Sequence, residues 1–354
     1  MLLTPLSFRN GKTSPNRIAL AAMTNSQSHA DGTLSDEELA WLARRAQGGF
    51  GIVTTCASHV SKDGQGWPGE LGCFGDEHVE GLRRIAEVVH ASGGLGLVQI
   101  FHGGLRADPA VSGVTPWSAS DGDGVRGASE DDLRGVIAAF AAAARRVERA
   151  GLDGVEVHGA HGYLLTQFLS SIENRRTDDW GGSLANRARL LREVTRAVRA
   201  AVQPGFLVGV RLSPEDFGNA RGLDLEENLQ VARWLVEDGV DFLHLSLWDV
   251  SRNTTKRPDA HALPLFRAAV PEEIRLFAAG KIWTAEDGER TLALGADVVA
   301  LGRSAIANPE WPRQIAEPGW QPRRPPLHPD ELRARGLSSV FVDYMRRWKN
   351  FVAG

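Results

Sequence analysis

The sequence predicts an α/β protein whose architecture is a (β/α)8 TIM barrel. The main observation is a recurring unit, in which an amphipathic helix ends near glycine and a short apolar strand follows at once. Its clearest copies read "ARRAQGGFGIVTT", "RVERAGLDGVEVHG", "WLVEDGVDFLHLS" and "LALGADVVALGR". A glycine that ends a helix and leads directly into a buried strand is typical of parallel α/β folds. A length of 354 residues also suits one such barrel as a single unit.

Eight strand–helix units can be placed in order along the chain. The strands are expected at about 17–22, 50–55, 95–101, 153–157, 206–212, 241–246, 275–279 and 297–301. The helices are expected at about 35–47, 76–92, 130–149, 185–202, 225–238, 263–271, 285–294 and 308–316. Capping-box spacing marks three helix starts: Ser35 with Glu38, Ser129 with Asp132, and Thr284 with Asp287. A doubly wound sheet is the alternative, but "RIALAAMTNSQSHADG" after the first strand lacks a G-x-G-x-x-G turn.

Composition narrows the class of protein. No run of about 18 apolar residues is present, so no membrane-spanning helix is expected. The first residues lack the pattern of a secretory signal, and with only two cysteines in the chain we expect a cytoplasmic protein. Two cysteines also exclude a disulfide scaffold and an iron–sulfur cluster. A formal net charge of -4 gives no electrostatic footprint for nucleic acid.

The eight units assign residues 1–317 to the barrel and leave 318–354 as a C-terminal extension. Its stretch "SVFVDYMRRWKNFV" is rich in aromatic side chains, so we expect the extension to pack on the barrel or on a partner subunit. A Gly-, Pro- and Ser-rich segment, about 103–128, follows the third strand. Segments of that length usually cover a site or are disordered. The sequence does not determine the oligomeric state, and a homo-oligomer is one of the states that it allows.

Polar side chains follow the strands, at the rim where barrels of this kind carry their chemistry. We expect them to surround one mouth. The strand-end residues are Met23, Thr24, Ala57, Ser58, Gln99, His102, His158, His161, Tyr163, Arg211, Gly280, Lys281, Gly302 and Arg303.

The segments after strands seven and eight, "AAGKIWT" and "ALGRSAIANP", predict a phosphate site. Each places a glycine and a cation between a strand and a helix, Gly280 with Lys281 and Gly302 with Arg303. Glycine lets backbone N–H groups approach an anion, and these two loops are the usual phosphate site of the barrel. Two ordinary tight turns with surface cations are the simpler alternative.

Two histidines and a tyrosine follow the fourth strand in "VEVHGAHGYLLTQFL". His158 and His161 are too few to hold a metal, and Glu156 is expected to face away from them, so no metal site is expected. A purely structural role is a second interpretation. In the third, both imidazoles donate to one substrate oxygen and stabilise an enolate, while Tyr163 donates a proton.

The stretch "HGAHGYLLTQFLSSIENRRTDDWGGSLANRARLLREV" resembles the old yellow enzyme family of FMN-dependent ene-reductases. "SPNRIALAAMTN", "GLVQIFHGG" and "GADVVALGRSAIANPEWP" are similar to further strand-end segments of that family, in the family's order, and the resemblance covers about residues 1–317. It implies a non-covalent FMN that accepts hydride from NADH or NADPH. It also implies a small-molecule substrate, an α,β-unsaturated carbonyl or related compound, whose activated C=C bond is reduced.

The resemblance also implies roles for the rim residues. His158 and His161 would hydrogen-bond the carbonyl oxygen of the alkene, and Tyr163 would protonate its α-carbon. The residues expected to bind the cofactor are Met23, Thr24, Ala57, Gln99, Arg211, Gly280, Lys281, Gly302 and Arg303.

Several positions depart from the family's pattern and bear on the substrate pocket. Ala22 and Ser171 replace common prolines, and Ser26 stands where some relatives have tyrosine. Leu105 stands where many relatives have arginine, with Arg106 beside it. Two alternatives stay open: a flavin-binding redox protein with a different acceptor, and a phosphate-sugar lyase or isomerase on the same barrel.

Overall fold

The computed structural model describes residues 1–354, and its centre is a closed barrel of eight parallel strands. Each strand pairs with the next along the chain, and the last pairs with the first. The strands are β1 Ile18–Leu20, β2 Ile52–His59, β3 Leu95–Phe101, β4 Gly154–Gly159, β5 Leu207–Leu212, β6 Phe242–Ser246, β7 Arg275–Ala279 and β8 Val298–Leu301. The predicted (β/α)8 barrel is confirmed, and the doubly wound alternative is excluded because the sheet closes.

Helices surround the barrel. The helices that follow the strands are α1 Asp36–Gln47, α2 Val79–His90, α3 Glu130–Arg149, α4 Arg189–Ala201, α5 Leu225–Glu237, α6 Ala262–Ala269, α7 Ala285–Ala293, α8 Arg303–Ala307 and α9 Trp311–Gln314. Three further short helices, Pro109–Ser112, Leu164–Leu169 and Leu184–Arg187, lie in the loops. None of the helices is long and apolar enough to cross a membrane. The apolar residues of α4 recur at helical spacing, so Leu190, Leu191, Val194 and Val198 are all buried on one face.

Two predicted boundaries were wrong. The helix expected at 308–316 is much shorter, and only α9, Trp311–Gln314, lies in that range. The preceding helix α8 ends at Ala307, because Pro309 lacks an N–H and Asn308 before it takes φ −137°, ψ 82°. Strand β2 was expected to end at 55, but it continues to His59 after a register shift between Thr54 and Ala57. Ala57 therefore lies within the strand.

Two of the three predicted capping boxes are present in the structure. Ser129 and Thr284 each form a reciprocal capping box with the aspartate three residues later. Ser35 accepts the backbone N–H of Glu38, but the Glu38 carboxyl turns inward to Asn25 and Ser28. Burial raises the pKa of Glu38.

The amino-terminal end of the barrel is filled with apolar side chains. A two-stranded hairpin, Leu6–Ser7 with Thr13–Ser14, contributes Leu6 and Phe8 to a buried cluster inside the strands. Phe242 and Phe277 stack there at 4.5 Å between ring centroids. This plug leaves the polar interior residues at the opposite end of the strands.

The prediction that Glu156 faces outward was wrong. Side chains alternate along a strand, so Glu156 points to the same side as His158, two residues later. Its side chain is inside the barrel, with Oε1 at 2.5 Å from Gln99 Nε2 and Oε2 at 2.6 Å from His244 Nδ1.

The C-terminal extension contains α10 Pro329–Ala334 and α11 Ser339–Met345. Phe341 of α11 packs edge-to-face on Trp41 of α1, with 4.9 Å between ring centroids. Leu327 and Phe351 share a backbone hydrogen bond and are both buried. In this structure residues 318–354 thus lie against the barrel, with α11 close to its mouth.

Candidate active site

A cavity of about 540 Å³ opens at the carboxyl ends of the strands. The segments that follow β1 and β3 to β8 line it. Nine predicted site residues are among its walls: Met23, Thr24, His161, Tyr163, Arg211, Gly280, Lys281, Gly302 and Arg303. The other three, Ala57, Gln99 and His158, are buried in β2, β3 and β4 and do not form the cavity wall.

The histidine pair and the tyrosine form one cluster. The rings of His158 and His161 are 5.0 Å apart and nearly perpendicular, and Tyr163 lies 5.1 Å from His158. Burial and neighbouring cations lower the pKa of both histidines well below its ordinary value, so at neutral pH each imidazole is neutral. A neutral imidazole carries one N–H and can donate one hydrogen bond.

The backbone holds His161 at the mouth through a tight left-handed turn. His161 has φ +63° and Gly162 has φ +75°. A side chain at Gly162 would place its Cβ at 2.1 Å from the carbonyl oxygen of Asn219, so only glycine fits. His161 Nε2 lies 2.7 Å from Ser246 Oγ at the end of β6.

Tyr163 is packed on two sides. Its ring meets Phe101 edge-to-face at 5.1 Å, and the guanidinium of Arg106 lies 4.2 Å from its ring centroid. Burial raises the pKa of Tyr163, while Arg106 acts in the opposite direction. The phenol therefore stays protonated and is able to donate a proton.

A buried polar layer lies inside the barrel. Glu156 links Gln99 to His244, and both hydrogen bonds are short. Burial opposes ionisation of Glu156, but His244, Arg211 and Gln99 together hold its pKa below the usual range. Sequence reasoning missed His244, whose only signal was its alternation with apolar neighbours in "FLHLS".

The loops after β7 and β8 have room for an anion. A Cβ on Gly302 would meet only Met23 Sδ, at 3.5 Å, so no neighbouring protein atom requires glycine there. The Oγ of buried Ser304 has no hydrogen-bond partner within the chain. Gly280 differs, because a Cβ there would lie 2.9 Å from the backbone of Trp248 and Asp249.

The two cations of these loops, Lys281 and Arg303, differ in whether a carboxylate of the protein already pairs with them. Lys281 Nζ lies 3.0 Å from Asp249 Oδ2 and is already paired. Arg303 forms no ion pair; its guanidinium lies 5.8 Å from the ring centroid of Trp248 and 5.4 Å from that of Trp348. Arg303 is thus the cation of this pair that is available to a phosphate.

Aromatic residues that the sequence did not assign to the site complete the mouth. Tyr344, Met345 and Trp348 of the C-terminal extension line the cavity. Trp248 follows β6 with φ +56°, a conformation rare for a bulky residue, and stacks on Phe217 at 4.2 Å. The aromatic composition of the tail was visible in the sequence, but its position beside β8 was not.

The residues fit FMN as a cofactor. Arg303, Ser304 and the Gly302 backbone offer donors for a phosphate, and Arg211 Nε is a buried donor without a partner. The cavity is lined by Arg106, Arg211, Lys281 and Arg303 and by no Asp or Glu, which suits an anionic ligand.

Comparisons with known proteins agree with this fit. A family model described as "NADH:flavin oxidoreductase / NADH oxidase family" matches residues 1–319. A Bacillus subtilis (strain 168) protein, "Probable NADH-dependent flavin oxidoreductase YqiG", is 35% identical over 328 residues, which cover 89% of this chain and 88% of that protein.

Two solved structures have the same barrel. An old yellow enzyme homologue from Zymomonas mobilis superposes with a TM-score of 0.81 and 29% identity, covering 91% of this chain and 94% of that chain. A morphinone reductase mutant in complex with tetrahydroNAD gives a TM-score of 0.81 and 27% identity, covering 94% of this chain and 93% of that chain. These similarities to oxidoreductases leave the lyase or isomerase alternative without support. The chain belongs to the NADH:flavin oxidoreductase / NADH oxidase family and is an FMN-dependent NAD(P)H oxidoreductase of the old yellow enzyme type.

Proposed function

We propose that this enzyme reduces the activated C=C bond of α,β-unsaturated carbonyl compounds with NADH or NADPH as the hydride donor. The observation that carries the proposal is the cluster of two neutral imidazoles and a protonated tyrosine, in which His161 and Tyr163 line the cavity and the buried His158 lies about 5 Å from both. FMN, when bound, would supply the hydride chemistry that links the nicotinamide to the β-carbon of the alkene.

Hydride addition to the β-carbon leaves negative charge on the carbonyl oxygen. In this proposal His158 and His161 donate hydrogen bonds to that oxygen, which stabilises the enolate as it forms. His158 Nδ1 faces the backbone N–H of Ala160 at 3.4 Å, which leaves its Nε2–H for the substrate. The substrate oxygen would take the place of Ser246 as the partner of His161 Nε2.

Tyr163 completes the reaction by protonating the α-carbon. Its pKa is raised by burial, so the phenol remains protonated above neutral pH and serves as a general acid. His158 is 5.1 Å from the same ring, so the groups for the oxygen and for the α-carbon lie side by side.

The remaining predicted residues would hold the cofactor. Arg303 and Ser304 would bind its phosphate, with Lys281 at the edge of that site. Gln99 and Arg211 would hold the pyrimidine edge of the ring. Met23, Thr24 and Ala57 would lie along the flavin.

The test is anaerobic turnover of the FMN-loaded enzyme with NADH and NADPH. We expect cyclohexenone, a maleimide and a nitroalkene to be reduced to the saturated products, while cyclohexanone is not. Quinones reduced in the same assay without alkene turnover would contradict the proposal and would indicate a different acceptor.

A further inference from the structure

The charges of the cavity leave one cation unaccounted for. Arg303 suits the phosphate, and Lys281 is paired with Asp249. Arg211 lies beside the anion of Glu156, which raises its pKa against the effect of burial. Arg106 forms no ion pair, and it is not among the residues expected to hold the cofactor; the only hydrogen bond of its side chain within the chain is to the backbone of His161.

Arg106 stands where a substrate would be protonated. Its Nη1 donates to the backbone carbonyl of His161 at 2.8 Å, and its guanidinium covers the ring of Tyr163 at 4.2 Å. A guanidinium carries five N–H donors, so this one bond leaves most of them for another partner. Arg106 therefore presents unused positive charge next to the oxygen-binding and proton-donating groups.

A side chamber of about 230 Å³ continues behind Arg106. Arg106 and Asn219 border both this chamber and the main cavity. The hydroxyl of Thr166, a residue only 1% exposed, borders the chamber without a hydrogen-bond partner in the chain. Glu173 and Arg221 also line this chamber, one charge of each sign. Space, an unpaired hydroxyl and an unpaired guanidinium thus coincide at one side of the mouth.

We propose that Arg106 binds a carboxylate on the substrate, so the preferred substrates are activated alkenes that also carry a carboxylate on a short chain. This inference rests on the proposed function of the same site. A guanidinium binds a carboxylate with two parallel hydrogen bonds, and a partly buried site strengthens them. The carbonyl oxygen of the substrate would lie at His158 and His161, and the carboxylate would lie on the Arg106 side.

The experiment compares one enone as its acid and as its methyl ester. (E)-4-Oxopent-2-enoate and methyl (E)-4-oxopent-2-enoate share the alkene and the ketone. The ester group also withdraws more electron density from the alkene than the carboxylate does, so the acid-to-ester ratio of each variant is compared with that of the parent, a comparison in which this intrinsic difference cancels. We expect Arg106→Gln to lower the acid-to-ester ratio of kcat/KM by about 10–100-fold, the usual effect of a lost hydrogen bond to a charged group. Arg106→Lys keeps the positive charge but lacks the planar guanidinium. Its acid-to-ester ratio of kcat/KM should lie between that of the parent and that of Arg106→Gln.

A matched variant distinguishes direct binding of the carboxylate by Arg106 from the general electrostatic effect of a nearby positive charge. Arg221 is an exposed arginine that borders the side chamber but not the main cavity. Arg221→Gln should change the acid-to-ester ratio less than about threefold, because solvent screens an exposed charge. The same ratio in the parent and in Arg106→Gln, both with full flavin content, would overturn the inference.

A binding measurement distinguishes this inference from the proposed function. The saturated keto acid 4-oxopentanoate and its methyl ester can be titrated against the oxidised enzyme and followed by the flavin absorbance. Tighter binding of the acid that is lost in Arg106→Gln supports the anion site even if no alkene is reduced. Equal binding of acid and ester by the parent overturns it, whatever the outcome for alkene reduction.

Discussion

The side-chain amide of Gln99 donates from Nε2 to the Glu156 carboxylate at 2.5 Å, inside the barrel. One N–H of Nε2 is engaged by Glu156, so Gln99 can offer a cofactor its second N–H as a donor and its carbonyl Oε1 as an acceptor. Glu156 thereby fixes which way the amide points. His244 holds the other carboxylate oxygen, at 2.6 Å from its Nδ1, so the orientation is secured from both sides.

Replacing Glu156 with glutamine should raise the reduction potential of bound FMN. The Glu156 carboxylate is ionised and offsets part of the charge of Arg211, so removing it leaves more positive charge near the flavin. Positive charge favours the reduced, anionic form. A tenfold gain in the relative affinity for reduced FMN corresponds to about 30 mV for this two-electron couple. Equilibration with a redox dye measures the potential.

Glu70 supplies the control for that measurement. It is also a fully buried carboxyl, but burial raises its pKa well above the ordinary value, which favours its neutral form. Glu70→Gln should therefore change the potential less than Glu156→Gln does. A potential that does not rise in Glu156→Gln would show that this carboxylate is not coupled to the cofactor.

The eight strand–helix units could be predicted because their information is local. Periodic apolar residues fix the buried face of α4, and glycine after a helix marks the next strand. The residues that end the strands follow from the same alternation, and nine of them line the cavity. Strand order and closure then place these ends around one mouth.

The contacts that local patterns could not supply are the long-range ones. Glu156 on β4 and His244 on β6 meet across the barrel interior, which depends on the width of the closed sheet. Trp348 lies near Arg303 because α11 packs on α1. The sequence around either residue gives no sign of this packing. The register shift in β2 also depends on its neighbour β3.

The two cations of the phosphate loops should contribute unequally to FMN binding. Arg303→Gln should raise the Kd for FMN by about 10–100-fold, since a hydrogen bond to a charged group typically contributes about 1.5–3 kcal/mol. Lys281→Gln should have the smaller effect, because Lys281 is already paired with Asp249 at 3.0 Å. Quenching of FMN fluorescence by the cofactor-free protein measures both constants. A larger loss from Lys281→Gln would reverse the assignment.

Tyr163→Phe should separate the two halves of the reaction. Flavin reduction by NADH or NADPH needs no proton from Tyr163 and should keep a near-normal rate. Alkene reduction should slow by about 10²–10⁴-fold, the usual effect of losing a positioned general acid. Stopped-flow absorbance follows each half separately. Equal slowing of both halves would mean that Tyr163 holds the cofactor or the fold rather than donating the proton.

His158 should make the enzyme less stable as the solution is acidified below about pH 6.5. Burial lowers its pKa well below the ordinary value, so the folded protein keeps it neutral while the unfolded chain takes up a proton near pH 6.5. The unfolded state then binds more protons, and the free energy of unfolding falls as the pH falls. Well below pH 6.5 the loss approaches about 1.4 kcal/mol per pH unit for this one histidine.

His158→Asn removes this titration, so the free energy of unfolding of parent and variant should converge or cross on acidification from pH 7.5 to 5.5. Their difference is the quantity to follow, because the other titrating groups, including the phosphate of FMN, are common to both proteins. Denaturant unfolding in excess FMN at each pH gives these values. A parent–variant difference that stays constant over this range would mean that folded His158 takes up its proton as readily as the unfolded chain does.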